Sequence, residues 1–501
     1  MTLTLRLQAS TDATANSPVL VVLRAGRSAL GPQASGIDAQ SGGAIVRACA
    51  TPRFSGAVGE CIDLLAPSGI SARKVVVLGL GDPAAISALA AVRAGAALAQ
   101  HLETEQETEA TILFDVPSGS ALASDVILAR LLLGMRLRNY RFQLMPKAEK
   151  PFDLRVTLVT GHKPAELQRG EAIAEGVALA RTLVNFPASH LNPDNFADHL
   201  APLVDAGVAV EVLETADLER LGMNAVLAVG NGSDRKPRVI VLSYRGEGSS
   251  AQPLALIGKG MCFDAGGLCI KTGPQMFAMK GDMGGAAAVI GTMLALARQK
   301  APVHVVGLLG VAENMLSGNS YKPGDIVTTM SGRTVEVFDT DCEGRMVLAD
   351  VLHYAATRFQ PRAMVDLATL TYSVMRGLGH VFAGLFATHD ALAKGLLEAG
   401  ETVGERFWRL PLDPAYDENL RSPIADLRQH GRDLEDGDAP VAAAFLRNFA
   451  EAIPWVHLDI AGKEMIDEDR ALSRSGGTGF GVQLLEEWIH ACGPDLKNLA
   501  V

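Results

Sequence analysis

Short, almost wholly apolar runs recur along this 501-residue chain, and segments of helical length, many of them rich in alanine, separate several of them. That alternation is the strongest constraint on the fold. Strands that alternate with helices join a parallel or mixed sheet with helices over its faces. In the first part of the chain, Val19–Leu23, Lys74–Leu80 and Thr111–Phe114 read as strands, and Ala84–Leu102 and Ser124–Met135 as helices. Leu158–Gly161 reads as a further short strand and Ala165–Leu183 as a long helix, after which Pro187 and Pro193 break the periodicity. Farther on, Arg238–Tyr244, Leu254–Gly258, Val303–Gly310, Thr334–Phe338 and Ala363–Leu367 read as strands, with helices over Gly284–Arg298 and Met346–Thr357. A single core stops growing near ~250–300 residues, so two domains are expected. The reading is a smaller N-terminal α/β domain over residues 1–160, a connecting helix and linker over 161–190, and a larger C-terminal α/β domain with a central mixed sheet over 191–501.

Composition narrows the function. Hydrophobic residues at 48% and charged residues at 20% exclude a disordered chain. Uncharged stretches such as Met283–Ala297 and Ala301–Ala312 are shorter than the ~18 residues of a spanning helix, so no membrane association is expected. The N-terminus has no basic segment followed by an apolar one, and a cytoplasmic protein without a secretory leader is the expectation. A net charge of −11 argues against nucleic acid as the main partner. The six cysteines are scattered with no CxxC pair, which points to reduced, mostly buried thiols. There is no HExxH and no GxSxG, and the turn Gly79-Leu80-Gly81-Asp82 lacks the rest of a phosphate-binding loop.

Two polar clusters stand inside otherwise apolar sequence. Gly258-Lys259-Gly260-Met261-Cys262-Phe263-Asp264-Ala265-Gly266-Gly267 follows a strand, where α/β sheets build their sites, and Lys271 comes soon after. Asp282 precedes the helix Gly284–Arg298, where a lone aspartate would most simply be a helix cap. The second cluster, Asp339-Thr340-Asp341-Cys342-Glu343-Gly344-Arg345, follows strand Thr334–Phe338. If extended geometry persists there, Asp339, Asp341 and Glu343 share one face. Three carboxylates so placed repel one another unless positive charge sits among them. Arg345 is one source and a pair of divalent ions another, with Mg, Mn or Zn suited to oxygen ligands. The combination points to a dinuclear metal hydrolase, with peptide, amide and phosphate substrates all open.

These motifs resemble those of the leucine aminopeptidase (cytosol aminopeptidase) family of dinuclear metallopeptidases. The match runs through Gly258–Gly267 with Lys271, Asp339–Met346, Glu313–Met315, Tyr321–Asp325, Asp366–Thr371 and His457–Gly462, and it covers roughly residues 180–490. The resemblance implies an aminopeptidase that hydrolyses the N-terminal residue from short peptides through a metal-bridging water. It implies two divalent ions per subunit, Mn or Zn. Lys259, Asp264, Asp282 and Glu343 would hold the tighter ion, and Asp264, Asp341 and Glu343 the more exchangeable one. Lys271 would polarise the scissile carbonyl, and Arg345 would hold a bicarbonate as general base. Met279, Leu370 and Tyr372 would line the substrate pocket with Lys271. A homohexamer is implied as well. Four positions depart from the family pattern: Asp339 stands for Asn, Cys342 for Ala, Ala265 for Ser, and Tyr372 for Gly. Tyr372 is the departure expected to bear most on specificity.

Overall fold

The computed structural model describes residues 3–8, 17–115, 119–145, 152–160, 166–431 and 437–499. The chain divides into two compact units, Met1–Ala174 with Asp469–Arg474, and Glu175–Glu468 with Ser475–Val501. The division falls inside a helix, Leu167–Asn185, and a short stretch of the late chain is counted with the first unit. Gly161 and Ala165, expected as the ends of a strand and a helix, lie outside the described residues.

The N-terminal unit is built on β1 (Leu3–Gln8), β2 (Val19–Arg24), β3 (Cys61–Leu65), β4 (Lys74–Gly79), β5 (Glu109–Leu113) and β6 (Leu154–Val159), in the order β1-β6-β5-β2-β4-β3. All neighbours are parallel except β3, which runs antiparallel to β4. In β2, Val19, Val21 and Leu23 join a core with residues of helices Ala88–Thr104 and Ser124–Asn139, while Leu20 and Val22 join a second core with Ile37 and Ile45. Burial on both faces explains the unbroken apolar run. The strands β1 and β3 are additions to the sequence reading. Both are edge strands, only partly buried, with mixed polar and apolar sequence. Asp82 ends the Gly79–Asp82 turn by accepting a hydrogen bond from Ala84 N–H (3.0 Å), a plain cap.

In the C-terminal unit β7 (Ala209–Leu213), β8 (Arg238–Arg245), β9 (Leu254–Asp264) and β10 (His304–Asn314) precede two short strands, β11 (Ile326–Thr328) and β12 (Thr334–Glu336). Then come β13 (Met364–Ala368), β14 (Ala383–Ala387), β15 (Phe407–Arg409), β16 (Leu427–Arg428) and β17 (Trp455–Asp459). The large mixed sheet has the order β15-β14-β17-β13-β9-β10-β8-β7, and β11, β12 and β16 form a small separate sheet. Its centre, β17-β13-β9-β10, is parallel throughout. Helices Gly284–Gln299 and Glu343–Phe359 cover this centre, and both are apolar along most of their length. Among the described residues no helix is long and apolar enough to cross a membrane.

Two sequence expectations need correction here. The strand expected to end at Gly258 continues to Asp264, so most of the glycine-rich cluster is strand rather than loop. The strand expected over Thr334–Phe338 ends at Glu336, and Glu343 opens a helix. Extended geometry therefore does not persist through the second acidic cluster, and its period-two face does not exist.

The register of β9 against β10 shifts once. Met261 pairs with Ala312 and Phe263 with Glu313, which leaves Cys262 as the extra residue of a β-bulge. Side chains alternate along a strand, so residues 259 and 264 would ordinarily face opposite sides. One extra residue reverses the phase and brings Lys259 and Asp264 to the same face.

Candidate metal centre and active site

The parallel centre of the sheet ends in Asp264 on β9 and in two loops, Thr369–Thr371 after β13 and Ile460–Glu464 after β17. A cleft of about 320 Å³ opens there. All ten residues expected to hold metal, act in catalysis or bind substrate line it: Lys259, Asp264, Lys271, Met279, Asp282, Asp341, Glu343, Arg345, Leu370 and Tyr372. They come from distant parts of the chain, and the strand ends bring them together.

Lys259 is buried and its ammonium meets Asp282 Oδ1 at 2.9 Å and Glu343 Oε1 at 2.8 Å, while donating to the Thr369 carbonyl at 2.9 Å. Asp282 is not the N-cap of the helix Gly284–Gln299, because Met283 holds that position. Instead Asp282 Oδ1 also accepts from Thr369 Oγ1 at 2.7 Å. Lys271 pairs with Asp264 Oδ2 at 2.7 Å and with Asp341. Asp264 Oδ1 accepts from Gly266 N–H and Asn314 Nδ2, both at 2.8 Å. Asn314 also donates to the Thr340 carbonyl at 2.9 Å and so ties β10 to the Asp341 loop. Carboxylate oxygens of Asp264, Asp341 and Glu343 all lie within 4.8 Å of one another.

Two glycines fix this arrangement. Gly266 has φ +85°, and a Cβ there would stand 2.9 Å from Asp341 Oδ1. At Gly344 a Cβ would meet the Lys259 side chain, 2.7 Å from Cε and 2.8 Å from Nζ.

Electrostatics follow from packing four carboxylates against two ammonium groups. Burial, reinforced by the charges of Asp264 and Glu343, pushes the Asp341 carboxyl up to about 8 despite Lys271. Burial also raises Asp282 and Glu343, against the pull of Lys259. Burial alone would lower both lysines, but the surrounding carboxylates win and raise them. The cluster thus carries an excess of negative charge in a dry place. Two of its oxygens, Asp282 Oδ2 and Glu343 Oε2, are buried with no hydrogen-bond partner among the described residues. Orphaned buried acceptors are costly unless something binds them. Hard oxygen donors with unused lone pairs, facing excess negative charge, fit divalent cations.

Arg345 is buried and does not neutralise the acidic turn. Its Nη2 pairs with Asp438 Oδ1 at 2.9 Å, its Nη1 donates to the Gln429 carbonyl at 3.1 Å, and its Nε is buried without a partner among the described residues. Asp339 lies in the turn and accepts from Asp341 N–H at 2.8 Å. The ring of Tyr372 lies 5.8 Å from Lys271 Nζ, and its buried hydroxyl has no partner among the described residues.

Sequence reading assigned no role to several residues that shape this cleft. Asp459, at the end of β17, accepts from Leu370 N–H (3.1 Å), Thr371 Oγ1 (2.7 Å) and Ala461 N–H (3.2 Å), and so holds both loops. Asp438, His430 and Glu464 line the cleft as well. Burial pushes Glu464 up to about 7, although backbone N–H groups of residues 462–464 work the other way. Asn314 and Asp459 stand within motifs already quoted, so a polar residue in apolar sequence was their available signal. Asp438 and Glu464 carried none.

Residues 178–486 match the cytosol aminopeptidase family, catalytic domain, and residues 21–147 match the N-terminal domain of the same family. The chain is 44% identical over 466 residues to a probable cytosol aminopeptidase of Bradyrhizobium sp. (strain BTAi1), covering 91% of this chain and 92% of that protein. A probable cytosol aminopeptidase of Caulobacter vibrioides is 40% identical over 489 residues, covering 96% and 97%. Among solved structures, the bottromycin maturation enzyme BotP in complex with Mn aligns with TM-score 0.82 at 34% identity, over 95% of this chain and 99% of that one. A tomato leucine aminopeptidase mutant aligns with TM-score 0.83 at 29% identity, over 97% and 96%.

Proposed function

The chain belongs to the cytosol aminopeptidase family and is a leucyl aminopeptidase-type hydrolase, and from that premise we propose that it removes the N-terminal residue of short peptides with two divalent cations. The observation that carries the metal dependence is the convergence of Asp264, Asp282, Asp341 and Glu343 in one cleft, with two buried oxygens left unpartnered. Lys259, Asp282, Asp264 and Glu343 would hold one cation, and Asp341, Asp264 and Glu343 the other. When bound, the cations polarise the scissile carbonyl and acidify the attacking water.

The remaining work belongs to the chain. As a ligand Lys259 must give up its proton, which neighbouring dications favour. With Asp264 and Asp341 engaged as ligands, the Lys271 ammonium would be left to donate to the carbonyl oxygen as it gains negative charge. Asp459 holds Leu370 and the start of the Tyr372 helix against the substrate. The Nε of Arg345 is the donor left for a bicarbonate, which would supply a general base. The donor set suits Mn or Zn, and the manganese in the bottromycin enzyme favours trying Mn first. A cytoplasmic homohexamer completes the proposal, tested by light scattering for six times the 52.7 kDa of one chain.

The central test is metal loading with assay. Purified protein given Mn²⁺ or Zn²⁺ should hold two ions per chain and release p-nitroaniline from leucyl-p-nitroanilide. Full loading without cleavage of that substrate or of dipeptides would overturn the reading. Lys271→Ala should keep the metal content and lower turnover by roughly 10²–10³-fold, the usual loss for an oxyanion donor.

A further inference from the structure

Charge pairing around the cleft leaves two acids over among the described residues, Asp339, which accepts from Asp341 N–H at 2.8 Å, and Glu464. Asp282 and Glu343 meet Lys259, Asp264 and Asp341 meet Lys271, and Asp438 meets Arg345. Glu464 lines the same cleft and forms no ion pair with any described residue. Its Oε2 is buried and has no hydrogen-bond partner among the described residues.

The position of Glu464 is well defined. It follows β17 on the loop held by Asp459, and its side chain packs on the segment around Met279–Gly284. A Cβ added to Gly284 would stand 2.7 Å from Glu464 Cβ, and one added to Gly281 3.3 Å from Glu464 Cγ. The same cleft also presents apolar groups, Met279, Met375, Ala461 and the ring of Tyr372. A buried carboxylate with no opposite charge beside it is costly, and a cation brought by a ligand relieves it. The complementary ligand has an apolar stem to lie along the methionines and the tyrosine ring, and a positive tip to reach the carboxylate. Lysine and arginine side chains have that form, and a guanidinium also favours the tyrosine face.

We propose that Glu464 is a specificity-determining residue, and that this chain prefers peptides whose first residue is lysine or arginine. The proposal rests on the aminopeptidase reading and deepens it by naming the substrate class.

The test compares kcat/KM for arginyl-, lysyl- and norleucyl-p-nitroanilide with Mn²⁺-loaded protein. Norleucine has lysine's stem without its charge, so the ratio isolates the positive tip. The wild type should favour the arginyl and lysyl substrates over norleucyl by at least tenfold. In Glu464→Gln that ratio should fall at least tenfold, mainly through KM of the charged substrates. A wild type that favours norleucine, or a ratio unchanged by E464Q, overturns the proposal. The wild-type ratio decides the matter even if the variant does not fold. If loaded wild type cleaves none of the three substrates but does cleave leucyl-p-nitroanilide, specificity alone is misassigned. If it cleaves none of the four, the aminopeptidase reading falls and takes the proposal with it.

Discussion

At the scale of single residues, a glycine beside the cleft is among the most constrained positions. Gly344 sits directly behind Glu343 and in front of Arg345, and the Lys259 side chain lies where its Cβ would be. Lys259 is fixed from three directions by Asp282, Glu343 and the Thr369 carbonyl, so it cannot retreat without breaking those contacts. Gly344→Ala should therefore displace the lysine and cost metal affinity while leaving the helix itself intact, since alanine is the better helix former. The expected outcome is a 10–100-fold weaker affinity for one of the two ions, the scale seen when a ligand's support is removed. Equilibrium dialysis against Mn²⁺ with elemental analysis measures it, and affinity equal to wild type would show that Lys259 does not bear on the metal.

Which residues were legible follows from the same geometry. Lys259, Asp264 and Glu343 announce themselves because charges inside apolar strands and helices need a reason. Their partners do not, since Thr369 lies 87 positions from Asp282 and Asp438 lies 93 from Arg345. Glu464 is invisible in sequence because a glutamate in a polar loop is unremarkable until its neighbours are known.

At the scale of elements, buried carboxylates also hold the fold together. Glu405 accepts from the N–H groups of Gly481 (2.9 Å) and Leu484 (3.0 Å), capping the helix Val482–Ala491 from another part of the chain. Burial pushes its carboxyl up to about 7 although those donors pull it down. In the unfolded chain the same group titrates near 4.3. Between these values the folded state holds a proton that the unfolded state has lost. Stability from this group is full below about pH 4 and falls as pH rises toward 7. Glu405→Gln keeps an acceptor and removes the titration. Relative to the wild type, the variant should gain roughly 2–3 kcal/mol between pH 4.5 and pH 7.5, by the conversion of about 1.4 kcal/mol per unit. Urea unfolding of both metal-free proteins across that range reads the difference, and a constant gap would refute the assignment.

Elements also differ in how readable they are. The central strands β2, β4, β9 and β10 are covered on both faces, and their unbroken apolar runs identify them. The sequence pattern puts the start of one helix at Met346, whereas it begins at Glu343. The charged residues of its first turn do not follow an apolar helical period, because that turn faces the cleft instead of the core.

At the scale of the whole molecule, every residue proposed to hold a cation belongs to the C-terminal unit. Ligand binding stabilises the state that binds it by RT ln(1 + [L]/Kd), about 2.7 kcal/mol at one hundred times Kd. That gain should be unevenly placed. With Mn²⁺ added, amide exchange should slow in β9, β13 and the first turns of the helices that start at Gly284 and Glu343, and change little in β2, β4 and β5. Exchange followed by mass spectrometry, with and without a chelator, resolves the two units. Equal slowing in both would place metal binding outside the cleft.

The bulge at Cys262 sets a rule for how this chain can vary. Substitutions around the cleft can accumulate one at a time, each with its own local cost. A change in length within 259–264 cannot, because losing or gaining one residue would send Asp264 to the far side of the sheet and part it from Lys259 in a single event. In that segment the count of residues matters more than their identity, and lineages that keep the chemistry must inherit the number unchanged.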